Sequence, residues 1–141
     1  MMRKLWAVAA AAALAACAAG RAEKTSMTIH EWKGQRAGPG EPGSLVAGDQ
    51  GAWDSAWRRV GQDAPALDFS RFIGVMVFAG EKPTGGYAVV FDEPLRRGDD
   101  VVVRYRVPKP KGFATQELTR PWTALALPRP NGRVIVEAAH E

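Results

Sequence analysis

Apolar and polar positions divide the chain into short segments of changing period. Residues 1–20, MMRKLWAVAAAAALAACAAG, open with two basic side chains and continue as an almost unbroken apolar run from Leu5 to Ala19. SMTIHEWKG, at 26–34, sets Met27, Ile29 and Glu31 against Thr28, His30 and Trp32, the period of two that predicts a strand. QRAGPGEPGSLVAGD, at 35–49, is rich in Gly and Pro and predicts a loop. Between Asp49 and Gln62 the period lengthens. Trp53, Trp57 and Val60 fall at i, i+4 and i+7, one apolar stripe of a short helix that packs on a sheet. Asp49 is placed to cap it, Arg58 and Arg59 complement the dipole at its end, and Gly61 can stop it.

The second half of the chain returns to the strand period. FSRFIGVMVFAG (69–80) is dense in Phe, Ile and Val and predicts a central strand. GYAVVFDE (86–93) predicts another, and Pro94 with RRGDD (96–100) marks a reversal. In DVVVRYRVP (100–108), Val101, Val103, Tyr105 and Val107 alternate with Val102, Arg104 and Arg106, giving one buried and one mostly wet face. KPKGFATQE (109–117) is a basic loop, TRPWTALALP (119–128) includes a strand, RPNGRV (129–134) carries Asn-Gly at the tip of an expected hairpin, and RVIVEAA closes the sheet. The expected fold is mainly β (α+β): a small antiparallel β-sandwich or rolled sheet of about six strands with one packing helix.

Composition changes this picture chiefly at the N-terminus. The apolar run is shorter than the roughly 20 residues a bilayer span needs. Its basic start, its length and its small-residue end fit a secretory signal peptide over 1–16. Leu14-Ala15-Ala16-Cys17 looks like a bacterial lipobox, which would make Cys17 the first mature residue and the site of lipidation. Several acyl chains on one residue give stable membrane anchoring, whereas a single chain is marginal. The alternative is ordinary cleavage after Ala18, with Cys17 discarded. Ala18 in place of Asp favours, by resemblance to enterobacterial sorting, the outer membrane facing the periplasm. Residues 17–25 then form a tether and 26–141 a single domain. Cys17 is the only cysteine, so the domain has no internal disulfide and depends on its core. Removing Arg3 and Lys4 with the signal lowers the formal charge from +4 to +2, a balanced surface that argues against a nucleic-acid partner.

The residue types that chemistry needs are sparse. The two histidines, His30 and His140, lie near opposite ends of the sequence, and Cys17 is committed to the anchor. No G-x-S-x-G elbow, zinc-ligand spacing or Gly-Lys-Ser/Thr phosphate loop occurs. Asp99 and Asp100 read as a solvated turn. The expectation is a protein that is not an enzyme and that takes no metal and no cofactor.

The binding candidates are in loops. If the strands after residue 86 join by simple antiparallel turns, the segments 82–87, 109–116 and 120–122 share one end of the sheet. They bring Lys82, Pro83, Thr84, Gly85, Gly86 and Tyr87 beside Lys109, Lys111 and Phe113, and beside Arg120, Pro121 and Trp122. Aromatic and basic side chains on a rigid rim are characteristic of protein-binding surfaces. The same composition also serves turn geometry and solubility.

DFSRFIGVMVFAGEKPTGGYAVVF, followed by VVVRYRVPKP and TQELTRPWTALALP, resembles the PrcB C-terminal domain family over roughly residues 50 to 136. The most specific piece is Pro83-Thr84-Gly85-Gly86-Tyr87. That resemblance implies an envelope lipoprotein that accompanies and stabilises a secreted protease in a complex. A second one is weaker. KPTGGY and RPW are similar to two of the three inhibitory loop motifs of chagasin-like inhibitors of papain-type peptidases, with Lys82 in place of an Asn and Gly85 in place of a Thr. It implies occlusion of a cysteine peptidase cleft. A structural envelope lipoprotein, packing beside other components without a dedicated partner, is the third reading.

Overall fold

The computed structural model describes residues 27–139. The signal peptide, Cys17, the 17–25 tether and His140 lie outside the described residues. Among those described, the chain forms eight strands and one helix: β1 (His30–Gly34), β2 (Gly43–Ala47), α1 (Gln50–Arg58), β3 (Phe72–Phe78), β4 (Val90–Phe91), β5 (Leu95–Arg97), β6 (Asp100–Arg106), β7 (Trp122–Pro128) and β8 (Val134–Ala138). The architecture is the expected mainly-β sandwich with one helix, and three layers result: helix on sheet on sheet.

The first sheet has the order β1-β7-β3-β2 and is antiparallel throughout. The second is built on β6, with β4 and β5 antiparallel along one edge and β8 parallel on the other. β4 and β5 are two pieces of one strand. Their registers against β6 differ by one residue, because Val90 faces Arg106 while Leu95 faces Val102. The buried Pro94 sits at this bulge, where its missing N–H interrupts no ladder bond.

The first sheet is buried on both faces, which explains why β3 and β7 read as continuous apolar runs. Met76, Phe78, Trp122 and Ala124 meet the helix, joined by Trp53, Ala56, Trp57 and Val60. Ile73, Val75, Val77, Leu125 and Leu127 point the other way, against Val89, Val101 and Val103 of the second layer. The helix docks as its stripe predicts. Asp49 is extended, and its carboxylate accepts the Ala52 N–H at 2.8 Å, the expected N-cap. Gly61 follows the helix at φ +70°, open to a left-handed turn. Gly74 lies under the Trp53 ring, where a Cβ would collide.

Four local expectations are corrected. The 35–49 stretch is not loop throughout: Gly43–Ala47 pairs with β3, turning Leu45 and Ala47 to the helix-side core. The reversal after Pro94 contains the short β5. The 129–134 segment is no hairpin, since β7 and β8 belong to different sheets; it crosses between layers, held where the Gly132 N–H donates to the Asp99 carbonyl and the Arg133 N–H to the Asp100 carboxylate. The expected 86–93 strand shrinks to Val90–Phe91, because the residues before it lie against another loop rather than a ladder.

Candidate functional site

β1 and β3 end, β6 ends and β7 begins at the same pole of the molecule. The three loop segments expected to meet do so there. The Lys82 and Thr119 backbones exchange N–H···O bonds of 2.8 and 3.0 Å, the Gly85 N–H donates to the Thr115 carbonyl at 3.0 Å, and the Thr119 hydroxyl donates to the Thr84 carbonyl at 2.8 Å. The glycines explain the close approach. A Cβ on Gly85 would enter the Thr115 side chain, and Gly86, at φ +85°, would press one into Pro110 at 2.7 Å. Thr84-Gly85-Gly86 is thus a seam that locks two loops together, and only then the edge of a surface.

A fourth segment joins them that the sequence did not disclose. Residues 35–40 wrap the same end. The Arg120 N–H donates to the Gln35 carbonyl, the Trp122 indole N–H to the Arg36 carbonyl at 3.1 Å, and the Glu81 N–H to the Gly40 carbonyl. Ala37 is held there at φ +65°. Arg36 pairs with Glu117 at 2.7 Å, and Arg120 meets Glu81 through two nitrogens, the shorter contact 3.0 Å. The only hint in the sequence was the high Gly and Pro content of that stretch.

The twelve proposed contact residues divide by exposure. Pro83, Gly86, Lys109, Lys111, Phe113 and Arg120 are exposed, and Lys82, Thr84 and Tyr87 are half-buried. Gly85, Pro121 and Trp122 are buried, which corrects their assignment as contact residues. Trp122 is 2 % exposed and packs edge-on to Trp57 in the helix-side core. It holds the Arg-Pro-Trp corner from beneath. The reason is the alternation of β7, which turns residue 122 to the same face as Ala124; Arg120 precedes the strand and stays exposed.

The loop from 109 to 117 is braced at Pro110 and Thr115, so residues 111–114 project between two fixed points. At their tip Phe113 is fully exposed, at 109 %. Leu118, at 63 %, extends the apolar surface. Around it, Lys109 and Lys111 have no ion pair among the described residues, and the Lys82 ammonium sits 5.5 Å from the Tyr87 ring centroid. The acidic side chains nearby, Glu81 and Glu117, are already paired. The rim is therefore a projecting apolar point in a basic surround. Among the described residues no group of three His, Cys, Asp or Glu side chains could hold a metal ion.

The rim lies inside a region with known relatives. Residues 73–128 match the PrcB C-terminal family. The PrcB C-terminal match begins in β3 and ends with β7, so it takes in the 82–87 seam, the Phe113 loop and the Arg120 corner. It is narrower than the span of 50 to 136 expected from the sequence, leaving β1, β2, α1 and β8 outside. No curated protein matches the chain, and no solved structure does.

Proposed function

We propose that this chain is a non-enzymatic envelope lipoprotein that presents its rim to a secreted peptidase, as an accessory or stabilising subunit of the peptidase complex. The observation that carries the reading is the Phe113 loop: an aromatic side chain held in water by a loop braced at both ends. Exposing a Phe forgoes roughly 1.5–3 kcal/mol of burial, which only a partner's surface can recover. The PrcB C-terminal match, which spans the whole Phe113 loop, supports a protease-related role. Lys109 and Lys111, without an ion pair among the described residues, favour an acidic partner surface and electrostatically assisted encounter.

The lipidated Cys17 supplies the membrane attachment in this reading, in the outer membrane facing the periplasm. β1 runs from His30, beside Ala126, to Gly34, beside Trp122. The chain therefore enters the domain at the pole away from the rim. Ten residues from Cys17 to Ser26 reach at most roughly 35 Å when extended, and they start from the pole opposite the chain's own rim. The papain-inhibitor reading has less support, because Pro121 and Trp122 are buried and cannot line a peptidase cleft.

A photo-crosslinking amino acid at position 113, in cells producing the native peptidase complement, tests the proposal. The expected adduct is a peptidase, with none from position 98 in the turn at the opposite pole. Equal labelling from both positions, or no adduct from 113, would leave the structural-lipoprotein reading. Cys17→Ser is expected to release the protein from the membrane fraction.

A further inference from the structure

The open edge of the first sheet has a sequence that complements itself. β1 pairs with β7 on one side and, among the described residues, with nothing on the other. Such an edge is a template for another strand unless it is blocked. Its five residues, His30-Glu31-Trp32-Lys33-Gly34, are centred on Trp32. Trp32 faces the helix side, edge-on to Trp53 and Trp57, with the His30 ring 4.6 Å away. Glu31 and Lys33 point to the other face, both exposed and without an ion pair among the described residues.

We propose that β1 pairs antiparallel with β1 of a second copy of this chain, about a two-fold axis at Trp32. In that register all five residues of each strand are used. Glu31 stands opposite the second copy's Lys33, and Lys33 opposite its Glu31, so both cross-strand pairs are oppositely charged. Trp32 stands opposite its own counterpart, and His30 opposite a glycine that leaves room for the imidazole. The alternatives are penalised. A shift of two residues either way sets Glu31 against Glu31 or Lys33 against Lys33, and a shift of one turns the copy's apolar face over. The charges that would repel an arbitrary strand thus accept one partner in one register. Beside the edge, Ile29 is 48 % exposed and borders a shallow groove with Trp32, Leu67 and Phe72, apolar surface that the second copy's Trp32 would extend. The product is one continuous eight-stranded sheet with the two Phe113 rims at opposite ends, a bivalent arrangement independent of what the rims bind.

The test is sedimentation equilibrium of the full chain in density-matched detergent. The wild type is expected to dimerise. Glu31→Lys and Lys33→Glu, each creating like-charge pairs, should each weaken the dimer roughly tenfold or more. The exchanged variant, Glu31→Lys with Lys33→Glu, should recover the wild-type constant within about threefold. A wild type that stays monomeric overturns the proposal. So does a dimer that ignores the single changes, or one that the exchange fails to restore. Both side chains are exposed, and an unchanged thermal midpoint in each variant separates lost pairing from lost folding.

Discussion

The two faces of the central sheet are packed by different rules. On the helix side four tryptophans, Trp32, Trp53, Trp57 and Trp122, stack edge to face at centroid separations of 5.3–5.7 Å, with Phe69 at their margin. They fit because the sheet beneath them is trimmed to Gly74 and Ala124, and β2 and the helix contribute Ala47 and Ala56. On the sandwich side the same strands offer Val75, Val77, Leu125 and Leu127 to Val101 and Val103, medium aliphatics against their like. One core is a few large rings in holes made by small residues. The other spreads its contact over many side chains. The first should therefore fail sharply when a ring is removed or a hole filled. The second, where Thr123 is the one buried polar side chain among the described residues, should respond most distinctly at that group.

The largest expected effect is Trp57→Ala, which should lower stability by about 3–5 kcal/mol in chemical denaturation. Trp57→Phe should lower it much less. Among the described residues the Trp57 Nε1 has no hydrogen-bond partner, so the smaller ring also removes an unsatisfied buried donor. Equal losses would mean that the indole's own shape, and not aromatic bulk, holds this core. Next comes Gly74→Ala, expected to lower stability by about 1–3 kcal/mol through overpacking against Trp53. Gly43→Ala, in the open on β2, should stay within about 0.5 kcal/mol. If the two glycines behave alike, the small residues are not making room for rings. On the aliphatic side, Thr123→Val keeps the shape but leaves the Val89 carbonyl without the hydroxyl it accepts at 3.1 Å. A loss of about 1–3 kcal/mol is expected, and none would mean that this layer tolerates an unpaired carbonyl.

The smallest effect lies at the turn into β3, where the Ser70 hydroxyl and N–H hold the Asp68 carboxyl below its ordinary pKa. A carboxylate lowered in the folded state adds stability above its unfolded pKa and loses it as pH falls through the folded value. Asp68→Asn should therefore lower the neutral plateau slightly, leave the most acidic end almost unmoved, and so flatten the acid limb of a melting-temperature profile. An unchanged acid limb would remove Asp68 from the account.

Local signals carried much of this fold. Asp49 with the Trp53–Trp57–Val60 stripe specified the helix, because capping and a period of 3.6 are decided within one or two turns. The runs in β3 and β7, and the alternation of β6, marked their strands for the same reason. The strand Gly43–Ala47 was hidden, since its five residues lie between glycines and prolines and become a strand only by pairing with β3. Asn131-Gly132 suggested a hairpin because that dipeptide favours the turn; whether its flanking strands pair depends on layers assembled from distant residues.

The rim shows the same division. Thr84-Gly85-Gly86 was legible as a glycine turn on the rim, because a missing Cβ and easy access to positive φ are glycine's own chemistry. Which neighbour it approached, and that residues 35–40 join the same end, was decided by tertiary structure. So was the fate of two aromatic residues that looked alike in the sequence: Trp122 fills the space above Trp57, while Phe113 stands in solvent. A side chain's type is written in the chain, but its exposure is set by what packs over it, and here that cover comes from segments tens of residues away.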